Sequence, residues 1–269
     1  MLNISIVLYN PDWSQVNSLC EEIVQAQCVK TVYLLDNSKA ESQDFPIDNP
    51  KVHYIFNNQN LGYGRAHNIA IRDSIYDNID FHLVMNADIL VKAEDIDQLH
   101  YFMLHNPQVG LVMPKVVYPD GSIQHLCKLL PTPLDVFGRR FLPEKWMQRR
   151  NERYELRASG YDKMMNVPYL SGCFMFLRTE AVLKARLFDE RYFMYPEDID
   201  LTRTIHRDYL TLFLPDITIV HNHGRQSYHS LRLLLIHIVN MCRYFNKWGW
   251  FVDNERRIMN SLTLTSVGM

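Results

Sequence analysis

Between Leu2 and Met85, four short apolar runs alternate with segments that carry apolar residues at helical spacing. No other property of the chain restricts its fold as much. Leu2 to Tyr9 (LNISIVLY) is β-branched and nearly continuous in apolar character, as a strand buried on both faces must be. Trp13, Val16, Leu19, Cys20, Ile23 and Val24 follow at helical spacing, with Asp12 placed to cap the helix. Thr31 to Leu35, Lys51 to Phe56 and Phe81 to Met85 read as the next strands. A polar, glycine-containing loop from Asn57 to Arg65 leads into a helix through Ala66, Ile69 and Ala70. Alternation at this spacing predicts a mostly parallel α/β sheet flanked by crossover helices.

Later segments are less regular. Val109 to Met113 reads as a strand, and Asp120-Gly121 as a hairpin turn between Val116–Tyr118 and Ser122–Leu126. Residues 131–160 hold three prolines and a cluster of Arg139, Arg140, Arg149, Arg150, Arg153 and Arg157. They predict a partly helical excursion outside the sheet. Tyr169 to Leu177 is apolar around Ser171-Gly172, Glu197 to Arg207 predicts a helix, and Ile217 to Val220 a strand. Tyr228 to Lys247 predicts a helix with Leu231, Leu234, Leu235, Ile238, Cys242 and Phe245 on one face. With no repeat or linker, the expectation is one domain over 1–228 with a helical extension, 229–269, packed on it.

Composition narrows the class. A formal net charge of −2 argues against a non-specific nucleic-acid binder, which needs a strong basic excess. The five cysteines, Cys20, Cys28, Cys127, Cys173 and Cys242, are odd in number and form no Cys-x-x-Cys pair. They read as buried hydrophobes in a reducing compartment. Met1 to Asn10 lacks a basic leader and meets Pro11-Asp12 at once, and no apolar run approaches the ~20 residues of a membrane span. The expectation is a soluble, cytoplasmic chain, at most peripheral to the inner face of a membrane.

Ligands of open parallel sheets bind beyond the carboxyl ends of the strands. Three strands end in polar residues there: Tyr9-Asn10, Asp36-Asn37 and Asn86-Ala87-Asp88. Asp and Asn also favour turns after strands, which would account for any one of these pairs alone. Asp88, two residues after another oxygen-bearing side chain, suits a hard divalent cation bridging phosphates, or equally the cap of a helix containing Ile96, Leu99 and Met103. Glu197, Asp198 and Asp200 at a helix start suit the macrodipole or a catalytic base beside the aromatic stretch Tyr192 to Tyr195. His221 and His223 point to opposite faces of an extended chain, so at most one of them serves a site. The arginine cluster could attract an anionic acceptor or form a solvated face, partly neutralised by Glu144, Glu152 and Glu155. Arg232, Arg243 and Lys247 beside the apolar stripe of the last helix allow either packing or a peripheral membrane dock.

Taken in order, these segments resemble the family 2 glycosyltransferases with a GT-A (Rossmann-like) fold, especially bacterial rhamnosyltransferase-like members of polysaccharide assembly. The matching pieces are Ser5 to Asn10, Leu35 to Ser38, Asn57 to Asn68, Leu83 to Asp88, Leu170 to Cys173, Phe188 to Leu201 and Val220-His221. The resemblance implies that Tyr9 and Asn10 line a nucleotide pocket and that Asp36 accepts hydrogen bonds from the base of the donor. Asn60, Gly62 and Arg65 would form the loop over the nucleotide. Asn86-Ala87-Asp88 takes the place of the family's Asp-x-Asp motif, Asp88 being the metal-binding carboxylate. One negative charge is missing from it because Asn86 holds the first position. Glu197-Asp198 matches the Glu-Asp pair in which the Asp is the base, and His221 falls near the metal and diphosphate.

The implied activity is an inverting hexosyl transfer, with Mg²⁺ or Mn²⁺, from a UDP-, dTDP- or GDP-linked sugar to a hydroxyl of a glycan or lipid-linked acceptor. Nucleic acid is not an expected partner, and a homodimer is left open. A sugar nucleotidyltransferase is the alternative enzyme, but it would need a glycine-rich phosphate loop where this chain has Tyr9-Asn10-Pro11-Asp12. A non-catalytic nucleotide- or glycan-binding module would not need Asp88 together with Glu197-Asp198.

Overall fold

The computed structural model describes residues 1–42, 47–139, 142–222 and 231–269; Arg140 and His223, with the side chains of Glu144 and Arg232, lie outside the described residues. Strands β1 (Leu2–Leu8), β2 (Val29–Asp36), β3 (Val52–Phe56) and β4 (Phe81–Met85) pair in parallel in the order β3-β2-β1-β4. Helices α1 (Trp13–Ile23) and α2 (Tyr63–Tyr76) connect them. Strand β4 is buried throughout and β1 everywhere except Val7, which is why both read as continuous apolar runs. Asp12 caps α1 as expected, accepting from the amides of Ser14 and Gln15.

Beyond β4 the sheet is mixed. It is followed by β5 (Ile89–Leu90), α3 (Ala93–His105), β6 (Val109–Val117), β7 (Cys127–Lys128), a π-helical turn (Leu134–Gly138), α4 (Glu144–Tyr154), β8 (Met165–Asn166) and β9 (Tyr169–Leu170). Then come β10 (Phe174–Arg178), α5 (Thr179–Lys184), α6 (Glu197–Ile205) and β11 (Leu210–His221). β10 lies antiparallel between β4 and β6, while β11 runs parallel to β6 and ends antiparallel to β5. The strand expected over Ile217–Val220 therefore begins at Leu210; a register shift between Leu214 and Thr218 takes up Pro215-Asp216, which interrupts the apolar pattern. The Asp120-Gly121 turn is present, with Gly121 at φ +83°; beyond it Ile123 bridges back to Val117 and the amide of Gln124 donates to the carbonyl of Val116 (2.9 Å). Cys127–Lys128 pairs instead with Tyr169–Leu170 in a separate two-stranded sheet.

Two terminal helices, α7 (Leu231–Trp248) and α8 (Asn254–Ser266), complete the chain. The apolar face predicted for α7 is only partly covered: Phe245 is buried, whereas Leu231 and Leu235 are 80% and 63% exposed. Docking runs through the last turns, where Lys247 and the indole of Trp248 hold the buried carboxylate of Asp200 (2.7 and 2.6 Å). Arg203, 1% exposed, reaches from α6 to Asp253 and Glu255 and stacks on Trp248. Four cysteines are buried, Cys242 is half-buried, and all five are free. Among the described residues no helix is long and apolar enough to cross a membrane.

The core also holds a polar wire. Ser74 Oγ donates to Ala70 O, so it accepts from His82 Nδ1 (2.8 Å); His82 Nε2 then accepts from Ser5 Oγ (2.8 Å), which accepts from His67 Nδ1 (2.7 Å). Both imidazoles are neutral: burial drives the pKa of His82 down to about 3 and that of His67 well below the usual value.

Candidate active site

The ends of β1, β2 and β4 align, since Leu8 stands opposite Asp36 and Ile6 opposite Met85. Tyr9 and Asn10 follow β1 at the surface, Tyr9 being 50% exposed. Asp36 is buried, and its carboxylate accepts from the amide of Ser38 (2.8 Å) and the hydroxyl of Tyr54 (2.7 Å). Its neighbour Asn37 donates to the carbonyl of Gly62 (3.1 Å), whose amide donates to Asn60 Oδ1 (3.0 Å). These bonds tie the loop to the strand ends. Gly62 has φ +82°, and a Cβ there would lie 2.2 Å from the carbonyl oxygen of Phe193, so only glycine fits. Arg65 turns away from this group toward Glu190, 3.6 Å distant.

A second group stands at the end of β4. The first turn of α3 has Lys92 at its N-cap position, so Asp88 is not the cap of that helix. Its Oδ1 lies 3.2 Å from His221 Nε2, at the end of β11. The carboxamide of Gln124 donates to the backbone carbonyl of His221 (2.8 Å), which turns its Oε1 toward Nδ1 (2.9 Å). Nδ1 therefore carries a proton and Nε2 faces Asp88. Burial opposes charge on this ring, but hydrogen bonds to Asp88 and Cys173 outweigh it and push the pKa up to about 10.

From here a run of polar contacts leads to the start of α6. Asn86 Nδ2 lies 3.5 Å from His221 Nε2, and Asn86 Oδ1 lies 3.0 Å from the hydroxyl of Tyr63, which donates to Gly172 O (2.6 Å). The amide of Gly172 donates to Asp198 Oδ2 (2.9 Å), and the amide of Ile199 to Asp198 Oδ1 (2.8 Å). Asp88, Asn86, His221 and Asp198 thus share one site, although His221 lies 135 residues from Asn86 in the chain.

The three acidic residues that open α6 diverge. Asp200 anchors α7 as described. Glu197 is buried with Oε2 unpartnered, and burial, reinforced by the charge of Asp198, raises its pKa well above the usual range. Asp198 is half-buried. Burial raises its pKa, the Gly172 and Ile199 amides and the ammonium of Lys128 lower it, and the balance is about 6. A carboxyl tuned to that range can accept a proton near neutral pH. Tyr63 and Gln124 were not singled out as site residues from the sequence. Tyr63 lies inside the motif around Gly62, but Gln124 carries no local signal, because its role depends on the register of β6 with β11.

The model of the family described as Glycosyl transferase family 2 matches residues 34–184, more than half of the chain. An N-acetylglucosaminyl-diphospho-decaprenol L-rhamnosyltransferase of Mycobacterium tuberculosis is 27% identical over 244 residues, covering 84% of this chain and 78% of its own. The dTDP-rhamnosyl transferase RfbF of Shigella flexneri is 31% identical over 118 residues, 44% of this chain and 39% of that protein. Among solved structures, the mannosyltransferase PcManGT of Pyrobaculum calidifontis, in complex with GDP-Man and Mn²⁺, aligns over 99% of this chain and 74% of its own, with a TM-score of 0.56 at 14% identity. GalNAc-T7 with UDP, GalNAc and Mn²⁺ aligns over 82% of this chain at a TM-score of 0.60 and 13% identity, and this chain spans 43% of its length. At those identities the structural likeness speaks for the fold, in agreement with the expected GT-A architecture.

Proposed function

From the premise that the chain belongs to glycosyl transferase family 2, we propose that it transfers a hexosyl group, with inversion, from a nucleotide-diphosphate donor to a hydroxyl of a lipid-linked or glycan acceptor in surface polysaccharide assembly. The observation that carries this reading is the run of hydrogen bonds and close polar contacts from Asp88 and His221 through Asn86, Tyr63 and Gly172 to Asp198. It has a different chemistry at each end. The names of the mycobacterial and Shigella relatives favour a dTDP-rhamnose-like donor and, for the acceptor, a sugar carried on a lipid diphosphate.

In this reading Asp198 removes the proton from the acceptor hydroxyl as that oxygen attacks the anomeric carbon, opposite the departing diphosphate. Burial pushes the pKa of Glu197 up, which disfavours a second negative charge beside the base. Tyr9, Asn10, Asp36, Asn60, Gly62 and Arg65 are assigned to the nucleotide side. Asp88 and His221 are the residues that would hold a divalent cation, which supplies neutralising charge to the diphosphate when bound. Asp88 Oδ1 and His221 Nε2 lie 3.2 Å apart as an ion pair, and Nε2 would have to give up its proton to serve a bound cation. Among the described residues no group of three or more His, Cys, Asp or Glu side chains could hold a metal. The pair therefore fits a cation that takes its other ligands from phosphate and water, as Mg²⁺ does and as the Mn²⁺ in both aligned structures allows. Residues 229–269 brace the catalytic part through Asp200 and Arg203 and allow peripheral contact with a membrane.

The test is a thermal-shift screen of UDP-, GDP- and dTDP-sugars with Mg²⁺ or Mn²⁺, since a ligand that binds the native state raises its melting temperature. One donor should stabilise the protein in a cation-dependent manner and release nucleoside diphosphate on addition of acceptor. No stabilisation by any of the three would overturn the reading.

A further inference from the structure

The hydroxyl of Tyr63 stands between two oxygens that can only accept, Gly172 O at 2.6 Å and Asn86 Oδ1 at 3.0 Å. A phenol keeps its proton at neutral pH and has one to give. At 2.6 Å, the short end of the O–H···O range, two oxygens need a proton between them, so the Tyr63 proton lies on the line to Gly172. The phenolic oxygen is then itself an acceptor, and it faces a second acceptor in Asn86 Oδ1. At its other end the same carboxamide meets the opposite conflict. Asn86 Nδ2, a donor, lies 3.5 Å from His221 Nε2, which is already the donor in the ion pair with Asp88 Oδ1. The two terminal atoms of a carboxamide are nearly equal in size, so a half-turn about Cβ–Cγ exchanges them in place, and their partners decide which way round they sit. That half-turn removes both conflicts: Nδ2 donates to the Tyr63 oxygen, and Oδ1 faces His221 and Asp88. Tyr63 is held firmly enough to impose the choice. Its amide donates to Phe193 O (3.0 Å), and its ring stands edge-on to that of His67, 4.4 Å between centres, which the polar wire fixes through Ser5.

We propose that Tyr63 is a positioning residue for the cation: its hydroxyl, with its proton committed to Gly172, selects the orientation of Asn86 in which Oδ1 faces Asp88 and His221 and can serve as a neutral oxygen ligand. This rests on the reading of Asp88 and His221 as the residues that hold the cation. A carboxylate at position 86 would present an oxygen either way round and would need no such partner. A carboxamide presents one in only one of its two orientations, so the charge that Asn86 lacks is offset by control of its direction. Carbonyl oxygens of this kind suit Mg²⁺ and Mn²⁺, and partners that orient a ligand from behind commonly set much of a site's affinity.

Mn²⁺ would be titrated into the intact protein with dTDP, UDP or GDP, whichever stabilises it, and the free ion followed by electron paramagnetic resonance. Wild type should bind Mn²⁺, and Asp88→Asn should lose most of that affinity; failure of either would overturn the cation reading and the proposal with it. Tyr63→Phe keeps the ring and removes only the hydroxyl, so it should bind the nucleoside diphosphate without cation as wild type does, yet weaken Mn²⁺ by about tenfold or more. A second background separates orientation from structure. In Asn86→Asp both terminal atoms are oxygens, so adding Tyr63→Phe there should change Mn²⁺ affinity by less than about twofold. Equal losses in the two backgrounds would mean that the hydroxyl only supports the fold, and would overturn the positioning role. Asn86→Ala, which removes the carboxamide itself, should lose at least as much as Tyr63→Phe, and it keeps the test open should the tyrosine variant not fold. Unaltered Mn²⁺ affinity in Asn86→Ala or in a folded Tyr63→Phe, with Asp88→Asn still impaired, would overturn the proposal and leave the Asp88–His221 pair standing.

Discussion

The two ends of the polar path from Asp88 to Asp198 hold the same functional group in opposite surroundings. Asp88 is about one-third exposed and bonded to an imidazole whose pKa is pushed up to about 10. Glu197 and Asp198 sit at a buried helix start where one carboxyl oxygen has no partner and the neighbouring carboxyl titrates at about 6. One end holds a carboxylate paired with an imidazolium, whose Nε2 proton a bound cation would displace; the other offers a proton acceptor poised near neutral pH. Environment, rather than residue type, divides the roles, as it does wherever two carboxyls serve one reaction.

The strongest way to break this contrast is Asp198→Asn. The shape is kept and the base removed, so turnover should fall by about 10²–10⁴ while nucleotide affinity is unchanged. Steady-state kinetics beside a nucleotide titration checks it, and near-normal turnover would strip Asp198 of that role. At the other end the effect should appear in cation affinity instead. His221→Ala should weaken Mn²⁺ binding in the nucleotide complex, and Gln124→Leu, which frees the ring to adopt the other tautomer, should cost about 10–100-fold. Metal titration reads both; a Gln124→Leu protein with unaltered affinity would show that the carboxamide does not orient His221 for the ion.

The pH profile sharpens the contrast further. Below about pH 6 Asp198 becomes protonated, so activity should drop about tenfold per unit as pH falls. The buried histidines act on stability in the same range. A histidine whose pKa is lower in the folded than in the unfolded state favours unfolding once protonated. Stability is therefore intact above the unfolded value near 6.5 and is lost as pH falls from there toward about 3, by about 1.4 kcal/mol per unit for His82. Between pH 6.5 and 5.5 activity should be lost reversibly while near-ultraviolet circular dichroism stays native. Activity that follows the unfolding signal would instead attribute the acid limb to the core.

The same division explains what could be read in the sequence. The strand ends at Asn10, Asp36 and Asp88 were legible because each follows a buried strand whose alternation with helices fixes the end of the sheet at which it emerges. The cap of α1 was legible from Asp12 alone, because a cap is a local bond. The choice between a cap and a ligand at Asp88 was not, since it turned on where α3 begins, at Ala93 with Lys92 before it. Gln124 left no trace because its partner, His221, is 97 positions away and the intervening chain is irregular. The stripe on α7 was seen but its burial was not: helical periodicity shows which residues share a face, not how many turns find a neighbour. The early strands of β11 were hidden by Pro215-Asp216, which breaks the pattern without ending the strand.

The smallest predicted effect tests the hinge between the two ends. Gly172 accepts from Tyr63 on the donor side and donates to Asp198 on the acceptor side (2.6 and 2.9 Å). A methyl group there would lie 3.2 Å from Asp198 Cβ and 3.5 Å from Tyr63 Cε1, close enough to shift the base by a few tenths of an ångström without unfolding the site. A displacement of about 1 Å at a reacting group can cost about 10²-fold, so this smaller one should cost about three- to tenfold in turnover. The loss should appear in turnover, with donor affinity and cation affinity unchanged, because the Asp88–His221 pair reaches Gly172 through intervening residues, Asn86, Tyr63 and Cys173. Equal losses in turnover and donor affinity for Gly172→Ala would mean that the two ends move together, and the contrast drawn between them would then describe one cooperative unit.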